Sequence, residues 1–205
     1  MKRVIRAAAA AAFVLAAGSV SAATVFQDNF SRSSNMVGNG WSELERYSSS
    51  VRTFSNDVLL LGNILSGTPD AAAASAVIDA TGFENLTISF KWKSYNKNEY
   101  ADKLTLSWAS DPAPLMTNQN AWTQLYRGND GGTNWHIRTR SLAAADNSMF
   151  NIMFWTKVSS SNEGFALDYV KITGDAISAV PLPATGFLLI AGLGGLGALR
   201  RKKKS

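Results

Sequence analysis

Apolar and polar side chains alternate in LTISFKWKSYN, residues 86–96. Its first face carries large apolar side chains, namely Leu86, Ile88, Phe90 and Trp92. Its second face carries polar side chains, namely Thr87, Ser89, Lys91 and Lys93. A period of two residues with β-branched and aromatic side chains is typical of a half-buried β-strand. The segment therefore predicts a sheet with one face turned toward a core.

Neighbouring segments repeat this alternation. DKLTLSW carries its inward side chains at Leu104, Leu106 and Trp108. The polar turn NKNEYA separates it from the first strand, and NDGG at residues 129–132 has strong turn chemistry. Further strand candidates are TVFQDNF, SVRTFS, VLLLG, ASAVID, AWTQLYRG, WHIRTRSL, SMFNIMFWTKV and GFALDYVKITG. Because no segment of residues 23–179 has a convincing helical period, an all-β fold is predicted, an antiparallel β-sandwich or barrel.

The N-terminus has the three parts of a secretory signal peptide. Lys2, Arg3 and Arg6 precede the apolar run AAAAAAFVLAAG, and small residues follow in SVSAA. Cleavage is predicted between Ala22 and Ala23, so that residues 1–22 are removed. The apolar run is too short for a transmembrane helix, the alternative interpretation. The expected partners are the Sec export machinery and signal peptidase.

The C-terminus, VPLPATGFLLIAGLGGLGALRRKKKS at residues 180–205, combines an apolar run with a basic end. Residues 187–199 are uncharged, but as a helix they would span only about 20 Å. The hydrocarbon core of a bilayer is about 30 Å thick, so the predicted transmembrane helix reaches back to about residue 183. The basic residues that would stay on the cytoplasmic side are Arg200, Arg201, Lys202, Lys203 and Lys204. This orientation leaves the preceding chain outside, as the signal peptide requires.

This tail resembles the VPLPA variant of the PEP-CTERM sorting signals. The residues that carry the resemblance are Val180, Pro181, Leu182, Pro183 and Ala184, followed by the glycine-rich apolar run and the basic end. The resemblance implies export in a Gram-negative bacterium and recognition by an exosortase-like membrane enzyme. The implied route is an inner-membrane intermediate and then the cell surface, outer envelope or extracellular space.

The same letters allow two other interpretations of the tail. LPATG at residues 182–186 resembles the LPxTG signal of Gram-positive sortase substrates, which would be cut between Thr185 and Gly186. Hydrophobic residues begin directly after Gly186, where sortase substrates commonly keep a polar spacer. A third possibility is an uncut tail that serves as a simple membrane anchor. The PEP-CTERM interpretation is preferred.

Composition limits the function of the middle segment. The net charge of +5 is produced by the termini, which hold eight of the 20 basic residues and no acidic ones. Residues 23–179 keep 12 basic residues against all 15 acidic ones, a net charge of −3, so charge gives no support for a nucleic-acid partner. The chain has no cysteine, which excludes disulfides, thiolate metal sites and thiol catalysis. The predicted organisation is one domain at 23–174 and a linker at 175–179, followed by the sorting signal.

The order of the strands carries a second resemblance. DNFSRSSNMVGNGWSE near the start and EGFALDYVKITG at the end resemble concanavalin A-like (laminin G/MAM-type) jelly rolls. The resemblance implies that the first and last strands are neighbours. It would bring Asp28 and Asp168 together, two carboxylates that interrupt apolar strand patterns. A structural calcium ion held by Asp28 and Asp168 is one hypothesis, and capping of local backbone amides is the other.

Aromatic residues are the candidates for ligand binding. Trp155 is out of phase with the apolar residues around it and should face the other side of its strand. With Tyr95 or Tyr126 it could stack on a sugar ring, although partial burial is the simpler interpretation. Trp92 and Trp108 are expected in the core. Three tryptophans flank turns and are expected to close the sandwich edges: Trp41, Trp122 and Trp135.

The sequence has only weak matches to the motifs of known catalytic sites. His136 is the only histidine, no G-x-S-x-G motif accompanies it, and a solvated surface position is expected. Glu43 and Glu45 share a strand face, but concanavalin A-like glucanases carry E-x-D-x-x-E and SELERY does not, so an exposed acidic face is expected. The sequence thus predicts a non-catalytic, exported β-sandwich for surface or extracellular-matrix adhesion or structure, with polysaccharide as a candidate ligand. The alternative is a secreted carbohydrate-active hydrolase.

Overall fold

A computed structural model describes residues 22–34, 36–45, 51–54, 57–63, 70–74, 77–95, 99–129, 132–159 and 163–177. The strands within these ranges are β1 (Ala22–Asp28), β2 (Ser42–Glu45), β3 (Val51–Phe54), β4 (Val58–Asn63), β5 (Asp70–Ala74), β6 (Ile78–Asp79), β7 (Phe83–Tyr95), β8 (Lys103–Ser110), β9 (Thr123–Gly128), β10 (His136–Ser141), β11 (Met149–Lys157) and β12 (Glu163–Ala176). Two short 3-10 turns, at Gln119–Ala121 and Ala143–Ala145, are the helical elements of this part of the chain.

The strands form two antiparallel sheets. The first sheet has the order β10-β7-β12-β4-β3, with β1 also paired to β12. The second sheet has the order β2-β5-β11-β8-β9, with β6 also paired to β11. The prediction of an all-β, antiparallel sandwich is therefore confirmed.

The core lies between the sheets and follows from the alternation in β7. Four β7 side chains are completely buried on the inner face: Leu86, Ile88, Phe90 and Trp92. They meet buried side chains of the second sheet, namely Leu104, Leu106, Phe150, Ile152 and Phe154. Full burial of one such side chain contributes about 1.5–3 kcal/mol, so this set of contacts dominates the stability of the fold.

The first and last strands are neighbours, as the resemblance implied. Ala22 pairs with Asp175 at one end of β1, and Asp28 pairs with Val170 at the other. Strand β12 continues through Ala176, so two residues that were expected in the linker belong to the last strand. The predicted cleavage site lies at the start of β1.

The two targeting segments lie outside the described residues. These are the signal peptide up to residue 21 and the chain from residue 178, which includes the VPLPA motif, the apolar run and the basic end. The predicted transmembrane segment at 183–199 therefore remains a prediction. In the ranges that the structure covers, no helix is long and apolar enough to cross a membrane.

The outer edge of β10 is protected by its own arginines. The Leu142 amide donates a backbone hydrogen bond to β7. Because only every second residue of an antiparallel strand bonds to a given neighbour, the carbonyls of Ile137 and Thr139 point away from β7. Arg138 Nη1 donates to the Ile137 carbonyl at 3.0 Å, and Arg140 Nη1 donates to the Thr139 carbonyl at 2.8 Å. These side chains occupy acceptors that another strand would need for edge-to-edge pairing.

The outer face of the second sheet is covered by the segment that follows β8. Met153 and Trp122 are buried there, and half-buried Met116 and Trp155 pack against them. The expectation that Trp155 faces away from the core is confirmed. Trp122, expected at a sandwich edge, instead lies on this outer face, and Trp41 lies in the core beside the Phe30 ring at 5.7 Å.

Candidate ligand-binding site

A pocket of about 400 Å³ opens on the outer face of the first sheet. It lies across three adjacent strands, β4, β12 and β7, and is bounded by the residue that precedes β10. Its lining residues are Val58, Leu60, Lys93, Tyr95, Trp135, Ala166 and Asp168. We refer to it as the outer-face pocket.

Small and aliphatic side chains form the floor of the outer-face pocket. Ala166 of β12 pairs with Leu60 on one side and with Lys93 on the other, which places all three on the same face. Leu60 and Ala166 are almost fully buried although they point away from the core, because half-buried Val58 and Tyr95 pack against them. The alanine leaves the space that a larger side chain would fill.

Trp135 forms the wall of the outer-face pocket. It immediately precedes β10, and the residue is 38% exposed. The ammonium groups of Lys91 and Lys93 lie 5.0 Å and 4.8 Å from the centre of its ring, within the range of cation–π contacts. An exposed indole beside an apolar floor is thus held on the sheet by two cations.

The charges around the pocket are partly compensated. Asp168 lies at a break in the register between Leu167 and Tyr169, and its carboxylate forms an ion pair with Lys91 at 2.5 Å. Lys93 has no carboxylate partner among the described residues. Because Asp168 is paired with Lys91, the charge of Lys93 is left uncompensated in the pocket lining.

The aromatic residues predicted to bind sugar do not form one platform. Trp155 lies on the outer face of the second sheet, whereas Tyr95 lies in the outer-face pocket of the first sheet. Tyr126 is buried between the sheets, where its ring lies 5.4 Å from that of Phe90. Stacking of one sugar ring by Trp155 with Tyr95 or Tyr126 is therefore inconsistent with the structure, because the three side chains occupy three different layers.

Asp28 lies on the inner face of the first sheet and is compensated within the fold. Its carboxylate accepts hydrogen bonds from the Phe30 amide and the Trp41 indole, both at 2.8 Å, and forms an ion pair with Arg32 at 2.5 Å. Burial alone would raise the pKa of Asp28. The hydrogen bonds from Arg32, Phe30 and Trp41 outweigh it and hold the pKa below its ordinary value.

The structure separates the two carboxylates of the calcium hypothesis. Asp28 shares the inner face with its pairing partner Val170, whereas Asp168 opens to the pocket on the outer face. Asp28 is already paired with Arg32, and Asp168 with Lys91. Among the described residues, no group of three or more histidine, aspartate or glutamate side chains is arranged to hold a metal ion. Joint coordination of calcium by Asp28 and Asp168 does not fit this geometry.

The residues considered for catalysis have structural contacts. Glu43 accepts a hydrogen bond from the Val37 amide at 2.7 Å, and Glu45 accepts one from the Val51 amide at 2.8 Å. Both glutamates are half-buried, so the expected exposed acidic face is not formed. His136 is also half-buried and lies 5.5 Å from the Trp92 ring, which corrects the expectation of a solvated position.

Trp135 was expected to close a sandwich edge; it adjoins the edge strand β10 but lies over the outer face of the first sheet. One signal was nevertheless present, because Tyr95 is in phase with Lys91 and Lys93 on the polar face of β7. An aromatic residue on a polar face can indicate a binding surface. The contribution of Trp135 could not be read in this way, since it depends on the pairing of β10 with β7.

Comparison with known proteins identifies the tail. Residues 179–203 match the PEP-CTERM protein-sorting motif, which confirms the sorting signal predicted from the sequence. No curated protein matches the chain. The chain is therefore an exported, envelope-sorted protein with an all-β domain, and the motif implies processing by an exosortase-like membrane enzyme.

Solved structures resemble the domain in fold. The K3 cleaved adhesin domain of Lys-gingipain from Porphyromonas gingivalis w83 has a TM-score of 0.53 at 14% identity, covering 75% of this chain and 99% of that domain. A structure from work on endo-acting O-glycanases of human gut microbiota, which initiate mucin breakdown, has a TM-score of 0.48 at 11% identity. The match covers 74% of this chain and 99% of that chain. The first likeness supports the β-sandwich fold alone, and the second is too weak to carry an argument.

Proposed function

We propose that this protein is a non-catalytic surface or extracellular-matrix protein that binds carbohydrate in the outer-face pocket. The observation that carries the proposal is the exposed Trp135 indole beside the apolar floor formed by Leu60 and Ala166. Sugar rings have apolar faces that stack on aromatic side chains, while their hydroxyl groups need polar partners at the rim. Lys93, Tyr95 and Asp168 offer such partners.

Export of the protein would bring the carbohydrate-binding pocket to the outside of the cell. The Sec machinery would export the chain, and signal peptidase would remove the signal peptide. The tail would hold the protein at the inner membrane until an exosortase-like enzyme processes it. The released domain would then join the cell surface or the extracellular matrix. There, polysaccharide binding would serve adhesion or matrix structure.

The contacts of the glutamates favour binding over hydrolysis. A glycoside hydrolase needs two carboxyl groups that face the substrate across the scissile bond. Glu43 bonds to a backbone amide and belongs to the second sheet, away from the outer-face pocket. Within the pocket lining, Asp168 is the one carboxylate, and it is paired with Lys91.

A glycan array with the purified full chain tests the proposal. Trp135→Ala should reduce glycan binding at least about tenfold, because it removes the stacking face. Tyr100→Ala is the matched control, since Tyr100 is an aromatic residue with 89% exposure outside the pocket, and it should bind as wild type does. Thermal melting should show that both variants are folded.

Two results would count against the proposal. If Trp135→Ala bound glycans with unchanged affinity, the outer-face pocket would not be the site. Loss of binding in Trp155→Ala, with its fold intact, would place the site on the outer face of the second sheet instead. If no glycan bound to the wild-type protein, the carbohydrate-binding function itself would be wrong.

A further inference from the structure

The part of the outer face of the first sheet that surrounds the pocket carries an excess of positive charge, whereas Glu84 and Asp175 lie opposite each other at the other end of β7 and β12. Lys91, Lys93 and Lys171 all point to this face, because they alternate with the buried side chains of β7 and β12. Asp168 compensates Lys91 by an ion pair. In the ranges that the structure covers, Lys93 and Lys171 have no carboxylate within ion-pair distance.

This excess contrasts with the charge of the domain as a whole. Residues 23–179 carry 12 basic and 15 acidic residues, a net charge of −3. A domain that repels anions on average therefore has a region around the pocket that attracts them. Charges within one Debye length, about 8 Å at physiological ionic strength, act on a ligand most strongly, so the local excess dominates in the pocket.

The uncompensated cation nearest to the indole is Lys93. Its ammonium group lies 4.8 Å from the centre of the Trp135 ring, and its side chain lines the pocket. A cation–π contact at an exposed site is weak, whereas a hydrogen bond between an ammonium group and a carboxylate is strengthened by charge. Lys93 can therefore leave the indole for an anionic group of a ligand that stacks on Trp135.

We infer that the outer-face pocket selects an acidic sugar, a uronic-acid unit of an anionic polysaccharide. This inference rests on the proposed carbohydrate-binding function. The sugar ring stacks on Trp135, and its carboxylate binds the ammonium group of Lys93. Asp168 is paired with Lys91, so that Lys93 is the one uncompensated cation of the pocket lining, which suits one carboxylate per sugar unit.

Calorimetry with the purified full chain tests this selection. The probes are polygalacturonate, alginate and hyaluronate, each with its carboxyl-reduced counterpart. At least one acidic polymer should bind about tenfold more tightly than its reduced form, and added NaCl should weaken this binding. Lys93→Met keeps the apolar stem and removes the charge, so it should reduce that preference about tenfold. Lys157→Met removes an equivalent charge from an exposed position of β11 and should change affinity less than about twofold.

The outcomes separate this inference from the function on which it rests. Equal binding of each acidic polymer and its reduced form would overturn the inference while leaving carbohydrate binding in place. An unchanged preference in Lys93→Met, or an equal loss in Lys157→Met, would also overturn it. Binding of neutral glycans alone, lost in Trp135→Ala, would exclude acidic sugars and support the proposed function. Absence of binding to every glycan would overturn both.

Discussion

The indole Nε1 of Trp41 donates a 2.8 Å hydrogen bond to the carboxylate of Asp28, and both side chains are buried. The same carboxylate accepts the Phe30 amide and pairs with Arg32. Arg32 in turn donates from Nε to the Val37 carbonyl at 2.5 Å. One buried anion thus connects the end of β1 with the segment that leads to β2.

Replacement of Asp28 should strongly destabilise the fold. Asp28→Asn keeps the size of the side chain but leaves the Arg32 guanidinium, which is 14% exposed, without its anion. Breaking such a pair is expected to lower the free energy of unfolding by about 3 kcal/mol, measured by urea denaturation. Asp79→Asn is the control, since Asp79 is exposed and the asparagine keeps an oxygen that can accept the Thr81 amide, so no measurable change is expected there. A similarly small effect in Asp28→Asn would contradict the role of this anion.

The lowered pKa of Asp28 predicts a pH dependence. In the folded state its pKa lies below the ordinary value of 3.8, so its ionised form is stabilised by folding. This contribution is fully present above pH 3.8 and is lost as the pH falls from there toward the folded-state pKa. The melting temperature of the wild type should therefore fall more steeply below about pH 4 than that of Asp28→Asn. Parallel curves for the two proteins would show that Asp28 is not responsible.

Substitution at Glu43 should affect stability and not turnover. Glu43→Gln keeps an oxygen that can accept the Val37 amide, so little change in stability is expected. Glu43→Ala removes this acceptor and should lower the free energy of unfolding by about 1–2 kcal/mol. Reducing-end assays on the glycans that the protein binds should show no hydrolysis by the wild type or by either variant. Turnover by the wild type that disappears in Glu43→Gln would instead favour the carbohydrate-active hydrolase.

Chelation should leave the stability of the domain unchanged. Asp28 and Asp168 face opposite sides of the first sheet, and each is paired with a cation. The melting temperature should therefore change by less than about 1 °C on addition of EDTA or millimolar calcium, as measured by scanning fluorimetry. A rise of several degrees with calcium would revive the calcium hypothesis.

Removal of the arginines on the β10 edge should promote self-association. The double variant Arg138→Ser, Arg140→Ser frees the carbonyls of Ile137 and Thr139 for pairing with another chain. Size-exclusion chromatography with light scattering should detect larger species at concentrations at which the wild type does not form them. The double variant Arg127→Ser, Lys157→Ser removes two exposed cations from β9 and β11 and controls for the change in charge. Equal association in the control would mean that charge alone is responsible.

The sequence predicted the layers of this fold better than its details. The period of two in β7 is strong because one face meets the core, and this pattern placed Trp92 and Lys93 correctly. The predicted strand ASAVID, residues 74–79, contains β6 at Ile78–Asp79, and only its first residue belongs to β5 at Asp70–Ala74, a strand that was not predicted. Alanine has little intrinsic preference for strands, and β5 forms because it pairs with β11 and β2.

The candidate site was harder to predict, for a physical reason. Asp28 and Asp168 were expected to meet because their strands are adjacent, and the strands are adjacent. Their side chains nevertheless face opposite sides, since the break in register next to Leu167 changes the alternation along β12. A shift of one residue reverses the face of every later side chain, and it cannot be read from the spacing of apolar residues.

The pairing of β1 with β12 determines how the domain would be displayed. Because Ala23 lies opposite Gly174, β1 starts and β12 finishes at the same end of the sandwich. From Ala176 back to Asp168, β12 advances by eight residue steps, roughly 26 Å at 3.3 Å per step. The outer-face pocket is therefore remote from the point of tethering. If the domain is attached to a membrane through its C-terminus, this pocket would be separated from the membrane surface and accessible to extracellular polymers.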